Sequence, residues 1–139
     1  MLWAWQLMNN KIQTSVDELA DNSRFAVGND IIFLPNFQLS LTPEFKNKAY
    51  TAAELAYCDQ FENALLRYAS TWAAKEAVYK AVKQLDPKAT GWKKIEIVRE
   101  KPGGRPHVIL HQHPGSFKIS LTISHDGDYI WAIALIEIK

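Results

Sequence analysis

The sequence is poor in three features, each of which would have assigned it to a class of protein. It has one cysteine, Cys58, so no internal disulfide can form, and a reducing cytoplasm is the expected location. Its formal net charge is only +1, so the chain lacks the large positive charge that is typical of nucleic-acid-binding proteins. No apolar run approaches the roughly 20 residues that a membrane helix needs, so we expect no membrane partner.

The composition is that of a folded domain of ordinary size. Apolar residues make up 47% of the 139 residues and charged residues 22%, which is typical of a globular protein. The length suits one domain, and we expect residues 1–139 to form it. Residues 1–24 are an extension of uncertain structure, because Trp3, Trp5 and Leu7 have strand spacing whereas residues 16–20 suit a helical turn.

The rest of the chain predicts a strand, then helices, then an antiparallel meander. Residues 24–34 are rich in β-branched and aromatic residues, which indicates a strand. Residues 51–54 read TAAE, a capping box, and a longer helix is expected from about residue 63 to residue 85. The later strands are expected in residues 92–100, 106–110, 117–124 and 129–138. An Asp-Gly hairpin joins the last two, and the whole order predicts an α+β fold with a long helix packed on an antiparallel sheet.

Two acids fall on faces that these elements are expected to bury. Strand alternation puts Asp30 on the same side as Gly28, Ile32 and Leu34, so a carboxylate shares a face with two large aliphatic side chains. On a helical wheel, Glu76 falls near the middle of the apolar arc of the long helix. A buried carboxylate needs an ion pair, hydrogen bonds or a metal. Lys80, four residues after Glu76, could pair with it, and the pattern alone leaves this structural explanation open.

The combination of the two acids favours a metal site. Asp30 lies on a strand and Glu76 on a helix expected to pack against it, so the two carboxylates can meet. Mg²⁺ is usually held by one or two carboxylates, several waters and the phosphate oxygens of a substrate. Lys80 beside them suits a phosphate as a point charge. The residues therefore indicate a Mg²⁺–phosphate site, without naming a reaction.

Four short segments resemble one enzyme family. WAAKEAVYKA at residues 72–81 is similar to the W/F-x-x-K-E-A-x-x-K-A signature of 4'-phosphopantetheinyl transferases, and VGNDI at residues 27–31 resembles their upstream G-x-D strand motif. AYTAAELAYC at residues 49–58 is similar to the F-T-x-x-E-L-x-Y-C segment of the short class, the holo-acyl-carrier-protein synthases. ISLTISH at residues 119–125 resembles the late S-L-S-H strand of the family. The four matches follow one another in the order of the family, whose fold the resemblance also implies.

The resemblance implies an activity and partners. The family transfers the phosphopantetheine arm of coenzyme A to a serine of an apo carrier protein and releases adenosine 3',5'-bisphosphate. The acceptor would be an acyl carrier protein, or a carrier domain of polyketide or peptide synthesis. The short class commonly builds its active site between the subunits of a trimer, so a homo-oligomer is implied, with a trimer as the first expectation.

The resemblance also implies roles for individual residues. Asp30 and Glu76 would hold Mg²⁺, and Lys80 would stabilise charge on the pyrophosphate as its bond breaks, so these three are the expected catalytic residues. The side chains expected to contact coenzyme A are Lys75, Lys80, Arg105, Ser124 and His125. Arg105 could equally reach water. The base that accepts the serine proton is left undecided.

The sequence departs from the short class in ways that leave a second hypothesis open. Thr71 stands where that class often has arginine, and residues 83–92 contain a single glycine where a glycine-rich loop is usual. The alternative is a non-catalytic module of the same fold that binds coenzyme A, a nucleotide or a carrier protein. The presence of Asp30, Glu76 and Lys80 favours the enzyme, because a pure binder of an anionic cofactor has little use for two acids.

Overall fold

The computed structural model describes residues 2–21, 24–88, 90–112, 115 and 117–138. After an N-terminal helix, the order of strand, helices and strands agrees with the predicted α+β class. The elements are α1 (Leu2–Asp21), β1 (Phe25–Phe33), α2 (Leu34–Ser40), α3 (Pro43–Ala49), α4 (Ala52–Asp59), α5 (Ala64–Leu85), β2 (Ile95–Val98), β3 (His107–Leu110), β4 (Phe117–Asp126) and β5 (Tyr129–Ile138). One turn of 3₁₀ helix, Trp92–Lys94, precedes β2.

The strands form two antiparallel sheets, whereas the sequence predicted one meander. The larger sheet has the order β1-β5-β4, and Gly127 closes the predicted hairpin between β4 and β5 with a φ of +56°. In the described part of the chain, β2 and β3 pair with each other in a separate sheet. The prediction of one continuous meander is wrong because β3 does not pair with β4 within the described ranges. The free edge of β5 pairs instead with β1, from Phe25 opposite Glu137 to Phe33 opposite Tyr129. That pairing makes β5 the central strand.

Helix α5 packs on β1 and β5 through small residues, which confirms the long helix on an antiparallel sheet. The fully buried alanines of its contact stripe, at i, i+4 spacing, are Ala69, Ala73, Ala77 and Ala81. On β1, Gly28 presents no side chain, and a Cβ built there would lie 2.0 Å from the carbonyl oxygen of Ala77. Helix and strand therefore meet at backbone distance, and a side chain at position 28 would push them apart.

The helix boundaries follow the capping signals in the sequence. Thr51 and Glu54 form the predicted capping box, in which Oγ1 of Thr51 accepts from the amide of Glu54 and Oε1 of Glu54 accepts from the amide of Thr51. Asn63 caps α5, and the helix ends at Leu85, two residues before Pro87. The expected span from about residue 63 to residue 85 is confirmed.

The N-terminal residues form a helix where the sequence left strand and helix open. Because α1 runs from Leu2 to Asp21, the strand expected around Trp3, Trp5 and Leu7 is wrong. The two-residue spacing extends over too few positions to outweigh the helix formers between them. No helix in the described ranges is both long and apolar enough to cross a membrane.

The outer face of the larger sheet carries apolar side chains that this chain leaves exposed. Ile31 on β1 and Trp131 on β5 lie opposite each other on that face and are 63% and 47% exposed. The other exposed apolar side chains of this outer sheet face are Phe25, Val27, Phe33, Tyr129 and Leu135. An apolar face of this extent is typical of an interaction surface.

Candidate active site

The two predicted acids meet where β1 packs on α5. Strand alternation turns Asp30 towards the helix, where it is 8% exposed. Glu76 lies on α5 beside Ala77 and is half-buried, close enough to Asp30 for the two carboxyl groups to interact. Gly28, two residues before Asp30 on the same face, contacts Ala77 directly. The missing side chain at position 28 is therefore what lets the two acids approach.

Lys80 supplies the positive charge at these acids. Its Nζ donates to Oδ1 of Asp30 at 3.0 Å and to the carbonyl oxygen of Asn29 at 3.0 Å. The lysine side chain is 53% exposed and that of Asp30 is 10% exposed, so the pair spans from solvent into the helix–sheet contact. Lys80 thus pairs between elements with Asp30, instead of within the helix with Glu76. We call Asp30, Glu76 and Lys80 the acid site.

The oxygen atoms of the acid site are not all satisfied by the protein alone. Within the described residues, Oδ2 of Asp30 is buried and has no hydrogen-bond partner. Burial, and next the neighbouring Asp30 carboxylate, raises the pKa of Glu76 to about 8, whereas the charge of Lys80 opposes this shift. One lysine therefore faces two carboxyl groups, and an added cation would be stabilised there.

This set of donors fits Mg²⁺. Two carboxylates, one with an unsatisfied buried oxygen, are the hard oxygen ligands that Mg²⁺ prefers. Among the described residues, no group of three or more histidine, cysteine, aspartate or glutamate side chains could hold a metal. A cation at the acid site would therefore take its remaining ligands from water and from the phosphates of a substrate.

Lys75, from the same sequence motif, points into the core. Its Nζ donates to Oε1 of Glu54 at 2.6 Å and to the carbonyl oxygen of Ile95 at 2.7 Å, and neither charged side chain has exposed surface. Oε2 of Glu54 accepts from the amide of Ile97 at 2.9 Å. The structure contradicts the phosphate contact expected of Lys75, because its ammonium group is enclosed between α4, α5 and β2.

Two other predicted residues, Arg105 and His125, line a separate cavity. It has a volume of about 640 Å³ and lies between the first half of α5, the loop after β2 and strand β4. Arg67 and Arg99 also line it, and the sequence analysis did not single them out. Basic residues do cluster in the sequence around the Gly-Gly turn. Their spacing, however, does not reveal which of these side chains point into the cavity. We call the site of these three arginines and His125 the arginine cavity.

Ser124 and His125 are neighbours on β4 and therefore point to opposite faces. Ser124 lies opposite Trp131 and is not among the residues that line the arginine cavity. Nε2 of His125 lies 2.7 Å from the carbonyl oxygen of Gly127, which can only accept, so Nε2 carries a proton. Nδ1 of His125 is left to interact with a ligand. Of these two residues, His125 lines the cavity and Ser124 does not.

The acid site and the arginine cavity lie on different sides of α5. Ser70 is the cavity residue on α5 that comes closest in sequence to Glu76. A separation of six residues along the helix corresponds to a rise of about 9 Å and a rotation of about 120°. The structure thus brings Asp30, Glu76 and Lys80 together and places Arg105 and His125 elsewhere.

Comparisons with known proteins point to one family. Residues 26–134, which contain both sites, match the family model of the 4'-phosphopantetheinyl transferase superfamily. A holo-[acyl-carrier-protein] synthase of Moorella thermoacetica is 37% identical over 119 residues, covering 79% of this chain and 91% of that protein. One of Koribacter versatilis is 34% identical over 120 residues, covering 79% and 95%. The solved ACPS-CoA complex of Chronobacterium ammoniagenes is similar with a TM-score of 0.69 and 26% identity, covering 84% of this chain and 99% of that one.

Proposed function

Since the chain belongs to the 4'-phosphopantetheinyl transferase superfamily, we propose that it transfers the phosphopantetheine arm of coenzyme A to a serine of an apo carrier protein. The reaction would depend on Mg²⁺ and release adenosine 3',5'-bisphosphate. The chain is an enzyme of the holo-[acyl-carrier-protein] synthase type, because curated enzymes of that name match most of its length. The observation that carries the proposed chemistry is the acid site, where a buried carboxylate oxygen has no partner in the described part of the chain.

Asp30 and Glu76 are the residues that would hold Mg²⁺. When bound there, the cation would neutralise charge on the pyrophosphate of coenzyme A and make the attacked phosphorus more electrophilic. Asp30 is fixed for this role by burial and by the regular pairing of β1, and Glu76 by the helix. Both ligands thus come from rigid elements that hold them at one geometry.

Lys80 acts on the substrate itself in this proposal. Its side chain is half-exposed, so its ammonium group can exchange the bond to Asp30 for one to a phosphate oxygen. There it would stabilise the negative charge that develops on the bisphosphate as the bond to phosphorus breaks. Positioning and charge stabilisation provide most of the catalysis in phosphoryl transfer, which suits a site made of two acids and a lysine.

The proposed partners are coenzyme A and an apo acyl carrier protein, or a carrier domain of polyketide or peptide synthesis. A solved relative, from Chronobacterium ammoniagenes, is described as a complex with CoA, which supports the first of these. The names of the matched relatives support the second. We place the reaction in the cytoplasm, where the buried free thiol of Cys58 would stay reduced.

A homo-oligomer, with a trimer as the first expectation, is part of the proposal. The outer sheet face supports it, since Ile31 and Trp131 are exposed at its centre. A second copy on this face could also bring the arginine cavity of one copy to the acid site of another. Sedimentation equilibrium tests this: Ile31→Glu should dissociate the assembly, and a monomeric wild type would contradict it.

Intact-protein mass spectrometry tests the transferase function. The chain is incubated with coenzyme A, Mg²⁺ and several apo carrier proteins of fatty-acid, polyketide and peptide synthesis. We expect at least one carrier to gain the mass of one phosphopantetheine, and the gain to disappear with EDTA and with the serine acceptor changed to alanine. No gain on any carrier, with coenzyme A still bound, would instead support a non-catalytic binding module.

A further inference from the structure

Helix α1 carries apolar side chains that the rest of the chain leaves exposed. Every side chain that the structure describes in this helix, from residue 3 to residue 12, is exposed. The exposed fractions are 57% for Trp5, 54% for Met8 and 55% for Ile12. The helix precedes the residues that match the family model, and it supplies no residue to the acid site or to the lining of the arginine cavity. Its apolar side chains are therefore available for another contact.

Three of these side chains form one stripe along the helix. Trp5, Met8 and Ile12 have i, i+3, i+7 spacing, so they fall within an arc of about 60° on the helix surface. Trp3 and Leu7 lie on the opposite side, each about 160° from Trp5. We call Trp5, Met8 and Ile12 the α1 stripe. Apolar residues with this spacing form the contact seam of coiled coils.

The α1 stripe needs a surface to pack against. Most of the stability of a helix in a protein comes from burial of its apolar face, and α1, at 20 residues, has no such burial among its described side chains. An anionic membrane is a poor partner, because the helix sequence contains one basic residue, Lys11, and three acidic ones. An apolar protein surface therefore suits the stripe better than a lipid surface does.

The position of α1 in the chain places it beside the outer sheet face. The four peptide bonds from Asp21, at the end of α1, to Phe25, at the start of β1, span at most about 14 Å. The carbonyl oxygen of Arg24 accepts from the amide of Ile138 at 2.9 Å, which fixes this connection at the end of the β1–β5 pair. Phe25 and Val27 on the outer sheet face are each 52% exposed. Copies that associate through this face would bring the ends of their α1 helices close together.

We propose that the α1 stripe binds the α1 stripe of a second copy, so that the α1 helices of one oligomer form a parallel bundle. The inference rests on the homo-oligomer of the proposed function, because contact through the outer sheet face is what brings the helices together. The copies in a cyclic oligomer are related by rotation about one axis, so helices that run along this axis are parallel. Each residue of the stripe then meets the same residue of the neighbouring copies.

The size of the α1 stripe determines how much it contributes. A buried aromatic side chain covers about 150–250 Å², so the three residues of the stripe, each about half exposed, would bury on the order of 300 Å² per copy. An interface of standard size buries about 800 Å² per partner. The bundle therefore strengthens an association that the outer sheet face provides, and is too small to replace it.

Sedimentation equilibrium of the full chain tests the bundle with paired substitutions. Ile12→Glu puts a charge into the seam and should raise the dissociation constant of the oligomer at least about tenfold. The matched control is Leu7→Glu, which makes the same kind of change on the opposite side of the helix and should associate as the wild type does. Ile12→Leu keeps an apolar side chain in the seam and should also retain the wild-type association.

Cysteine cross-linking tests the parallel register and does not depend on the glutamate variants keeping their helix. Ile12→Cys should form a disulfide between two copies on mild oxidation, because a parallel bundle brings these residues within the Cα separation of about 4.4–6.8 Å that a disulfide requires. Leu7→Cys should stay largely reduced under the same conditions. The native Cys58 is buried and is present in both variants. Non-reducing gel electrophoresis measures the cross-linked fraction.

Three results would overturn the inference. The first is an Ile12→Glu protein that associates as tightly as the wild type, and the second is an equal loss in Ile12→Glu and Leu7→Glu. The third is equal cross-linking at positions 7 and 12. If Ile12→Glu keeps the wild-type association but loses binding to phosphatidylglycerol vesicles, the stripe binds a lipid surface and the inference is also wrong.

The outcomes separate this inference from the proposed function. A chain that transfers phosphopantetheine, is dissociated by Ile31→Glu and is unaffected by Ile12→Glu would refute the inference alone. A chain that modifies no carrier, but whose association is weakened by Ile12→Glu, would refute the transferase function alone. A monomeric wild type that still modifies a carrier would refute the bundle together with the homo-oligomer, and would leave the transferase function intact.

Discussion

Helix α5 contributes the lysine of two lysine–carboxylate pairs that differ in their surroundings. Lys75 and Glu54 have no exposed surface, lie 2.6 Å apart and make further hydrogen bonds to backbone groups. Lys80 is 53% exposed and lies 3.0 Å from Asp30, whose second oxygen has no partner within the described ranges. The Glu54–Lys75 pair is complete, whereas the Asp30–Lys80 pair still has capacity to bind.

This difference assigns the two pairs to different tasks. Burial lowers the pKa of Lys75, and the charge of Glu54 opposes that shift, so Lys75 depends on Glu54 to remain charged in the core. We infer that the buried pair holds α4, α5 and β2 together. The open pair instead keeps a lysine and a carboxylate ready for a metal and a phosphate.

Loss of the buried lysine is the change with the largest expected effect. Lys75→Met leaves the Glu54 carboxylate buried without its partner, so the free energy of unfolding should fall by about 3–5 kcal/mol. Urea denaturation followed by tryptophan fluorescence measures this. The same substitution in the open pair, Lys80→Met, is the control and should change stability by about 1 kcal/mol or less. Equal losses in the two variants would contradict the distinction between the pairs.

Loss of the exposed lysine should show the opposite pattern. Lys80→Met removes the charge that stabilises the leaving bisphosphate, so the rate of carrier modification should fall about 100-fold. Time-resolved mass spectrometry of the carrier gives this rate. Lys83→Met removes an exposed lysine whose Nζ contacts the hydroxyl of Tyr79, and it should retain the wild-type rate. A Lys80→Met enzyme of normal rate would place Lys80 outside the chemistry.

Gly28 tests how closely β1 and α5 must approach. Because a Cβ at this position would meet the backbone of Ala77, Gly28→Ala should destabilise the fold by about 1–3 kcal/mol. It should also separate Asp30 from Glu76, so that more Mg²⁺ is needed for half-maximal transfer. Gly91→Ala is the matched control, since its Cβ would meet only Lys94 Cγ, at 3.8 Å. Unchanged stability and Mg²⁺ dependence in Gly28→Ala would refute the close-approach requirement.

The smallest expected effect is a pH dependence of stability that comes from Glu76. Its pKa is raised from 4.5 to about 8 in the folded protein, so its stabilising contribution is complete below pH 4.5 and is lost as the pH rises through about 8. In EDTA, the Tm should therefore fall between about pH 5 and pH 8 more steeply in the wild type than in Glu76→Gln. Mg²⁺ should reduce the difference, because a cation stabilises the ionised carboxylate. Identical slopes in EDTA would show that Glu76 titrates normally.

The acid site could be predicted because each residue follows from a local period. The two-residue period of β1 turns Asp30 inward, and the 3.6-residue period of α5 turns Glu76 towards the sheet. Capping and turn signals also determined where α4 and α5 begin and where the β4–β5 hairpin turns. The partner of Lys80 was not local, and the sequence could not decide between Glu76 and Asp30.

The features that sequence reasoning missed depend on contacts between distant segments. Lys75 lies at the edge of the apolar arc, and its burial depends on Glu54, which approaches from another helix. Arg67 and Arg99 become one site only through the packing of α5 against the loop after β2. Thr71, where the short class often has arginine, is 1% exposed and is not among the residues that line the cavity. The split into two sheets likewise depends on the long-range pairing of β1 with β5.

The central claim is that Asp30 and Glu76 hold the metal that the transfer requires. Its most direct test is the single-turnover rate of carrier modification at saturating coenzyme A, measured against Mg²⁺ concentration. We predict that Asp30→Asn and Glu76→Gln are at least about 1000-fold slower and are not rescued by more coenzyme A, whereas Lys83→Met reaches the wild-type rate. An Asp30→Asn enzyme with the wild-type rate and Mg²⁺ dependence would contradict the claim.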